Sequence, residues 1–239
     1  RLNNPGGIPA FFQLCVDKMK QDYSDLVVLT PKTISNYLDD FPIVMGPYSD
    51  VPLKRRIDIL FACILEKYGG ICISPGTIIQ NISELVHQSD IKDIVTAGTS
   101  PRILSASLNP MTPDTMVIGG KEGSPFLKQY KQKLLHLQSN TSGQLSTLEA
   151  YDILSSLLQE QKPPQFHASS LTDGTRNKYL QKIDINVFLS NTTINYSDTP
   201  LFFISFPYQD VYQKQYRWFL NLSKKELLQS NIAIIQYLI

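Results

Sequence analysis

Few residues of this chain stand in patterns that do chemistry. The clearest stretch runs from Asp58, inside an apolar helical pattern, through Tyr68-Gly69-Gly70 to the turn Ser74-Pro75-Gly76-Thr77. That turn follows the short apolar run Ile71-Cys72-Ile73. In open α/β sheets ligands bind at the carboxyl ends of such strands. The histidines His87, His136 and His167 are far apart, and His136 falls on the polar side of a helix. No acid–base pair is read from them. Zinc spacing, a phosphate-loop glycine pattern and a nucleophile elbow are all missing from the sequence. Cys15, Cys63 and Cys72 sit in apolar contexts with no C-x-x-C spacing. They read as buried free thiols rather than a disulfide frame or a zinc site.

The elements that must position these residues follow from periodicity. Pro52 suits a first helical position, where its missing N–H costs nothing. Leu53, Ile57, Leu60, Phe61, Ile64, Leu65 and Tyr68 then recur as a helical stripe. Gly69 and Gly70 suit the left-handed stop of that helix. Upstream, Pro9 opens a helix with Phe11, Phe12, Cys15, Val16 and Met19 on one face. Leu26-Val27-Val28-Leu29 has the pattern of a strand buried on both faces, and Thr33 is placed to cap a short helix through Leu38.

Downstream, the segment from Asn81 to His87 reads as a helical turn or loop, and Asp93 to Ala97 as a strand. The stretch from Arg102 to Pro113, rich in Ser, Asn and Pro, reads as an exposed loop. Thr115-Met116-Val117-Ile118 is a further strand, with Gly119-Gly120 as its closing turn. Ser124-Pro125 starts a helix with Phe126, Leu127, Tyr130, Leu134 and Leu137 inward. Ser146 to Glu149 fits a capping box for a helix through Leu158, stopped by Pro163-Pro164. The alternation of Ile183, Ile185, Val187 and Leu189 suggests a strand, as does Leu201 to Ile204. Tyr208, Tyr212, Tyr216, Trp218 and Phe219 cluster on an expected helix from Gln209 to Leu220. Such rings suit stacking on sugars, although core or interface is the commoner use. Alternating strands and helices predict an α/β fold with a mostly parallel sheet flanked by helices and an irregular C-terminal part.

Composition narrows the partners. The 239 residues are 42% hydrophobic with a formal net charge of +1. That balance gives no electrostatic argument for nucleic acid or a membrane surface. No run of about 18 apolar residues is present to span a bilayer. Asn81, Asn140, Asn191, Asn195 and Asn221 each begin an N-x-S/T sequon, which matters in a secreted or lumenal chain. Residues 1–239 read as a single domain cut at one or both ends. The compartment is not legible.

The order of Asp58, apolar helix, Lys67-Tyr68-Gly69-Gly70, strand and turn resembles the glycosyltransferases that carry a DxD sugar-binding signature. These are the group joining capsular-polysaccharide synthesis proteins with mannosyl- and galactosyl-type transferases. Their pattern is an Asp, two apolar residues, an Arg, an apolar helix, K-Y-G-G, an aromatic, an apolar residue and D-x-D. Pro9 to Cys15 with Leu26 to Thr30, and Val117 to Leu127, resemble flanking segments of the same family, so the likeness covers roughly residues 5 to 137. The resemblance implies a GT-A-type, Rossmann-like domain that binds a nucleotide sugar at the carboxyl edge of its sheet, and a strand preceding Arg1. It places Asp58 near the donor's sugar or ribose and makes Tyr68, Gly69, Gly70, Ser74, Gly76 and Thr77 donor-binding candidates.

The departures carry as much information. The family's D-x-D binds manganese or magnesium across the donor's diphosphate, and hard cations need oxygen ligands with negative charge. The aligned residues here are Ser74-Pro75-Gly76, without a carboxylate, and the family's Arg is replaced by Phe61. No metal cofactor is therefore expected. Three readings stay open. The chain is a degenerate relative serving as a structural or binding module for a nucleotide sugar, a glycan, a protein partner or itself. It is a metal-independent transferase using Arg55, Arg56 or Arg102, with Lys54, for the diphosphate, although a charge run at a helix start is more often a solvated face. Or it is an unrelated α/β domain.

Overall fold

A computed structural model describes residues 8–30, 32–38, 53–97, 114–139, 150–168, 172–196, 198–207 and 210–239. The expected capping box at 146–149 and the loop at 102–113 lie outside them. The chain divides into two compact units. One comprises residues 29–74 and 83–169, the other residues 1–28, 75–82 and 170–239.

The first unit is built on a four-stranded sheet. Its strands are β1 (Gly70–Ile73), β3 (Ile94–Ala97), β4 (Asp114–Gly120) and β5 (Gln165–Ala168), in the order β1-β4-β3-β5. β4 is antiparallel to both β1 and β3, and β3 is parallel to β5. The sheet is therefore mixed, with two of its three pairings antiparallel, and not the mostly parallel sheet expected. A parallel neighbour needs a crossover, usually a helix. Between β3 and β4 the sequence offers only the Ser-, Asn- and Pro-rich stretch, so β4 returns in the opposite direction. Gly119 and Gly120 are part of β4 rather than a closing turn. A Cβ on Gly119 would stand 2.6 Å from the Gly70 carbonyl oxygen, and one on Gly120 2.6 Å from that of Asp93.

Three helices, α2 (Leu53–Tyr68), α4 (Pro125–Ser139) and α5 (Ala150–Gln161), pack over one face of this sheet. Ile59, Ala62 and Leu65 of α2 meet Leu127 and Leu134 of α4, Leu154 and Leu157 of α5, and Cys72, Ile94 and Ile118 from the strands. Each of the leucines and isoleucines among them contributes roughly 1.5–3 kcal/mol on burial. Lys131 on α4 bonds Glu66 on α2 at 2.8 Å, and the Ser124 hydroxyl caps α4 by accepting from the Leu127 N–H at 3.4 Å. Strand alternation turns Val95 and Val117 to the other face, where α3 (Ser83–Ile91) lies against β1, β3 and β4. The chain is thus α/β, with a mixed sheet flanked by helices.

The second unit holds α1 (Ala10–Asp22), a two-stranded antiparallel sheet of β2 (Thr77–Ile79) and β6 (Phe203–Ser205), and the short helices α6 (Ile185–Leu189), α7 (Arg217–Leu220) and α8 (Lys224–Leu228). Its centre is aromatic. The Phe11 ring lies 4.7 Å from that of Phe206 and 5.1 Å from that of Phe219, and Phe188 meets Phe206 at 5.7 Å. Offset and edge-on rings at such spacings add to simple area burial.

Several sequence expectations are corrected. Leu26 to Leu29 forms no strand, and Val27 is half exposed, because no described strand offers this run a ladder. Thr33 does not cap by its side chain. Its hydroxyl bonds Thr30 instead, beside a 3₁₀ turn at Ile34–Asn36. The alternating run at 183–189 is the helix α6, because the Asp184 carboxylate accepts from the Asn186 and Val187 N–H groups at 2.8 and 3.2 Å. In place of one helix from Gln209 there are 3₁₀ turns at Asp210–Tyr212 and Lys214–Tyr216, then α7. Gln213 interrupts them with an extended backbone.

Candidate functional site

The helix stop after α2 builds the frame of the candidate site. Gly69 and Gly70 both take left-handed backbone angles, with φ of 65° and 84°. The Gly69 N–H donates to the Leu65 carbonyl at 2.9 Å, so the chain leaves α2 and doubles back as β1. A Cβ on Gly69 would stand 2.5 Å from the Glu122 backbone nitrogen. Lys67 and Tyr68 have partners too. The Lys67 ammonium and the Tyr68 hydroxyl both donate to the Tyr37 carbonyl, at 3.0 and 2.8 Å. The whole Lys67 to Gly70 motif is therefore explained by how it turns the chain and ties α2 to the segment at Tyr37.

Asp58 lies about 16 Å up α2 from Gly69, at ~1.5 Å per residue. Ser74 lies about 13 Å along the chain from Gly70, at ~3.3 Å per residue. β1, β3 and β5 run in the same direction, so their carboxyl ends, including Ser74 after β1, share one edge of the sheet. The Ser74 N–H donates to the Met116 carbonyl at 2.8 Å, and the residue is buried.

Asp58 is buried at 4% exposure, and so is Arg55 at 8%. Three residues apart on a helix, they project from the same face. The run Lys54-Arg55-Arg56 is thus not a solvated face at Arg55, and the Arg56 Nε is itself buried. Sequence reading did not reveal Tyr130, which was placed inward with the apolar residues of α4. Its hydroxyl is fully buried without a hydrogen-bond partner among the described residues, and its pKa is pushed well up by burial and then by the charge of Asp58. A tyrosine at a helical core position looks the same in sequence whether or not a carboxylate stands nearby.

The remaining candidates are placed as follows. Gly76, with φ of 84°, and Thr77, buried with its hydroxyl unpartnered, belong to the second unit, where Thr77 pairs with Ser205. Arg102 lies outside the described residues. The donor set of the turn does not fit the manganese or magnesium the resemblance associates with it. Ser74 offers a hydroxyl and Gly76 only backbone, and no group of three or more His, Cys, Asp or Glu side chains able to hold a metal ion occurs among the described residues.

Other groups are held structurally. His167 on β5 bonds the Thr96 hydroxyl through Nδ1 at 2.9 Å, and burial lowers its pKa. Asp173, fully buried, accepts from the Thr175 N–H and hydroxyl at 2.9 and 2.6 Å. All three thiols are free and buried, as expected, and burial pushes the Cys72 pKa up to about 12. Of the C-terminal rings, Phe219 is core, while Tyr212 and Trp218 are about half exposed. No helix among the described residues is long and apolar enough to cross a membrane. No family model, curated protein or solved structure matches the chain.

Proposed function

We propose that the chain is a glycosyltransferase-like protein that has lost the cation-binding carboxylates of its sugar-binding turn and acts as a binding module. The observation that carries this reading is the burial of Arg55 and Asp58 on α2, the helix that runs through the Gly69-Gly70 stop into β1 and Ser74, where the turn carries no carboxylate. A guanidinium can meet a phosphate and a carboxylate can meet sugar hydroxyls, which suits a nucleotide sugar. With Ser74 and Gly76 in place of acids, nothing at the turn holds the cation that would neutralise a departing diphosphate.

A second reading is favoured by one feature, the burial of Arg55. A partly desolvated guanidinium that met a donor's diphosphate would be able to stabilise leaving-group charge without a metal. That would make the chain a metal-independent transferase moving a sugar from a nucleotide donor to a glycan or protein acceptor. A thermal-shift panel of UDP- and GDP-sugars, with manganese or with a chelator, tests both readings. A ligand that binds the folded chain raises its melting point. The module reading predicts a rise that is the same in both conditions and no release of free sugar. Sugar release in chelator selects the transferase. A rise seen only with manganese, or with no donor at millimolar concentration, overturns both.

A further inference from the structure

We infer that the second unit is an N-glycosylated surface, with Asn81, Asn191, Asn195 and Asn221 as acceptors. The sequons Asn81-Ile82-Ser83, Asn191-Thr192-Thr193, Asn195-Tyr196-Ser197 and Asn221-Leu222-Ser223 lie far apart in sequence, apart from the middle two. All four asparagines belong to the same compact unit. Each is exposed, and none lies within a helix or a strand. Asn81 follows β2, Asn191 and Asn195 occupy the irregular segment after α6, and Asn221 stands between α7 and α8. An acceptor amide must reach an enzyme's active site and afterwards hold a bulky solvated glycan, which restricts it to exposed irregular backbone. The apolar middle residues do not conflict with this. Ile82 is buried beneath its turn, and its N–H donates to the Tyr23 hydroxyl at 3.1 Å, leaving the flanking Asn81 and Ser83 outward.

The thiols supply an independent observation. A glycosylated chain folds in an oxidising compartment, where exposed thiolates form disulfides. Cys15, Cys63 and Cys72 are all buried, and burial raises the pKa of each. Such thiols stay reduced there. The reaction needs a polyisoprenoid-diphosphate-linked oligosaccharide as donor. The Asn side-chain nitrogen attacks the anomeric carbon, and the new N–C bond replaces the C–O bond to the diphosphate. The amide gives up one proton to the transferring enzyme's base, and the lipid diphosphate leaves.

The Ser223 hydroxyl donates to Glu226 at 2.7 Å and its N–H to the same carboxylate, a capping box for α8. That hydroxyl is committed once the unit is folded, so Asn221 is modified before α8 is capped, whereas Asn191 and Thr193 both stay exposed afterwards. The test uses the full chain recovered from its own cells. An amidase that releases N-glycans, used in heavy-oxygen water, converts each glycosylated Asn to a labelled Asp, which peptide mass mapping locates. The expected result is label at Asn81, at Asn221 and at one or both of Asn191 and Asn195. Label at none, or only at Asn140 in the other unit, overturns the assignment. Thr193→Val should abolish label at Asn191 and leave Asn81 and Asn221 unchanged, and label persisting at Asn191 in that variant would also contradict it.

Discussion

A buried tyrosine and a half-buried histidine set the chemistry at the residue scale. The Tyr130 hydroxyl has no hydrogen-bond partner among the described residues and feels the charge of Asp58. An unsatisfied buried hydroxyl costs roughly 1–3 kcal/mol. Tyr130→Phe should therefore leave stability unchanged or raise it by up to about 1 kcal/mol in urea unfolding. A loss of more than ~2 kcal/mol would show that the hydroxyl is bonded after all. His167 gives a pH signature. Its folded pKa lies below the ordinary value of about 6.5 because burial disfavours the imidazolium. Above that value both folded and unfolded states hold the ring neutral, and its contribution to stability is complete. As the pH falls below it, the unfolded chain takes up a proton that the folded chain resists, and stability drops. His167→Gln should flatten this part of the stability profile, and an unchanged slope would exclude His167 as its source.

The helix stop at the element scale can be dissected glycine by glycine. Gly70 has a left-handed φ but open space around its Cβ position, so Gly70→Ala should cost only the conformational term, about 1–2 kcal/mol. Gly69 adds a collision with the Glu122 backbone, and Gly69→Ala should cost roughly 3 kcal/mol or more. Equal losses in chemical denaturation would mean that the α2–β1 turn is not packed as described. Much of this element was legible: the proline-led apolar stripe gave α2, and paired glycines gave its end. The clamp of Lys67 and Tyr68 on Tyr37 was not, because a long-range bond to a backbone carbonyl leaves no trace in local pattern. Alternation misled at 183–189 for the opposite reason. A local side-chain cap, Asp184, outweighed the period of the apolar residues. The direction of β4 was hidden in a stretch read simply as a loop, although its sequence, without a helical pattern, already disfavoured a parallel return.

The chain at the scale of the whole molecule makes two cores, a largely aliphatic one under α2, α4 and α5 that also takes in Phe61, Phe126 and Tyr130, and an aromatic one around Phe11, Phe206 and Phe219. The sequence showed the apolar segments of both but not their division. The three stretches of the second unit come from opposite ends and the middle of the chain, and no local signal marks them as partners. The backbone passes from one unit to the other between Ser74 and Pro75. The central claim is that any sugar-nucleotide recognition by this chain proceeds without a cation. Calorimetric titration of the full chain with UDP- and GDP-sugars, first in chelator and then with manganese, measures this directly. The account predicts binding of a donor with equal affinity in both. Binding that appears only when manganese is added, or fails in both, would contradict it.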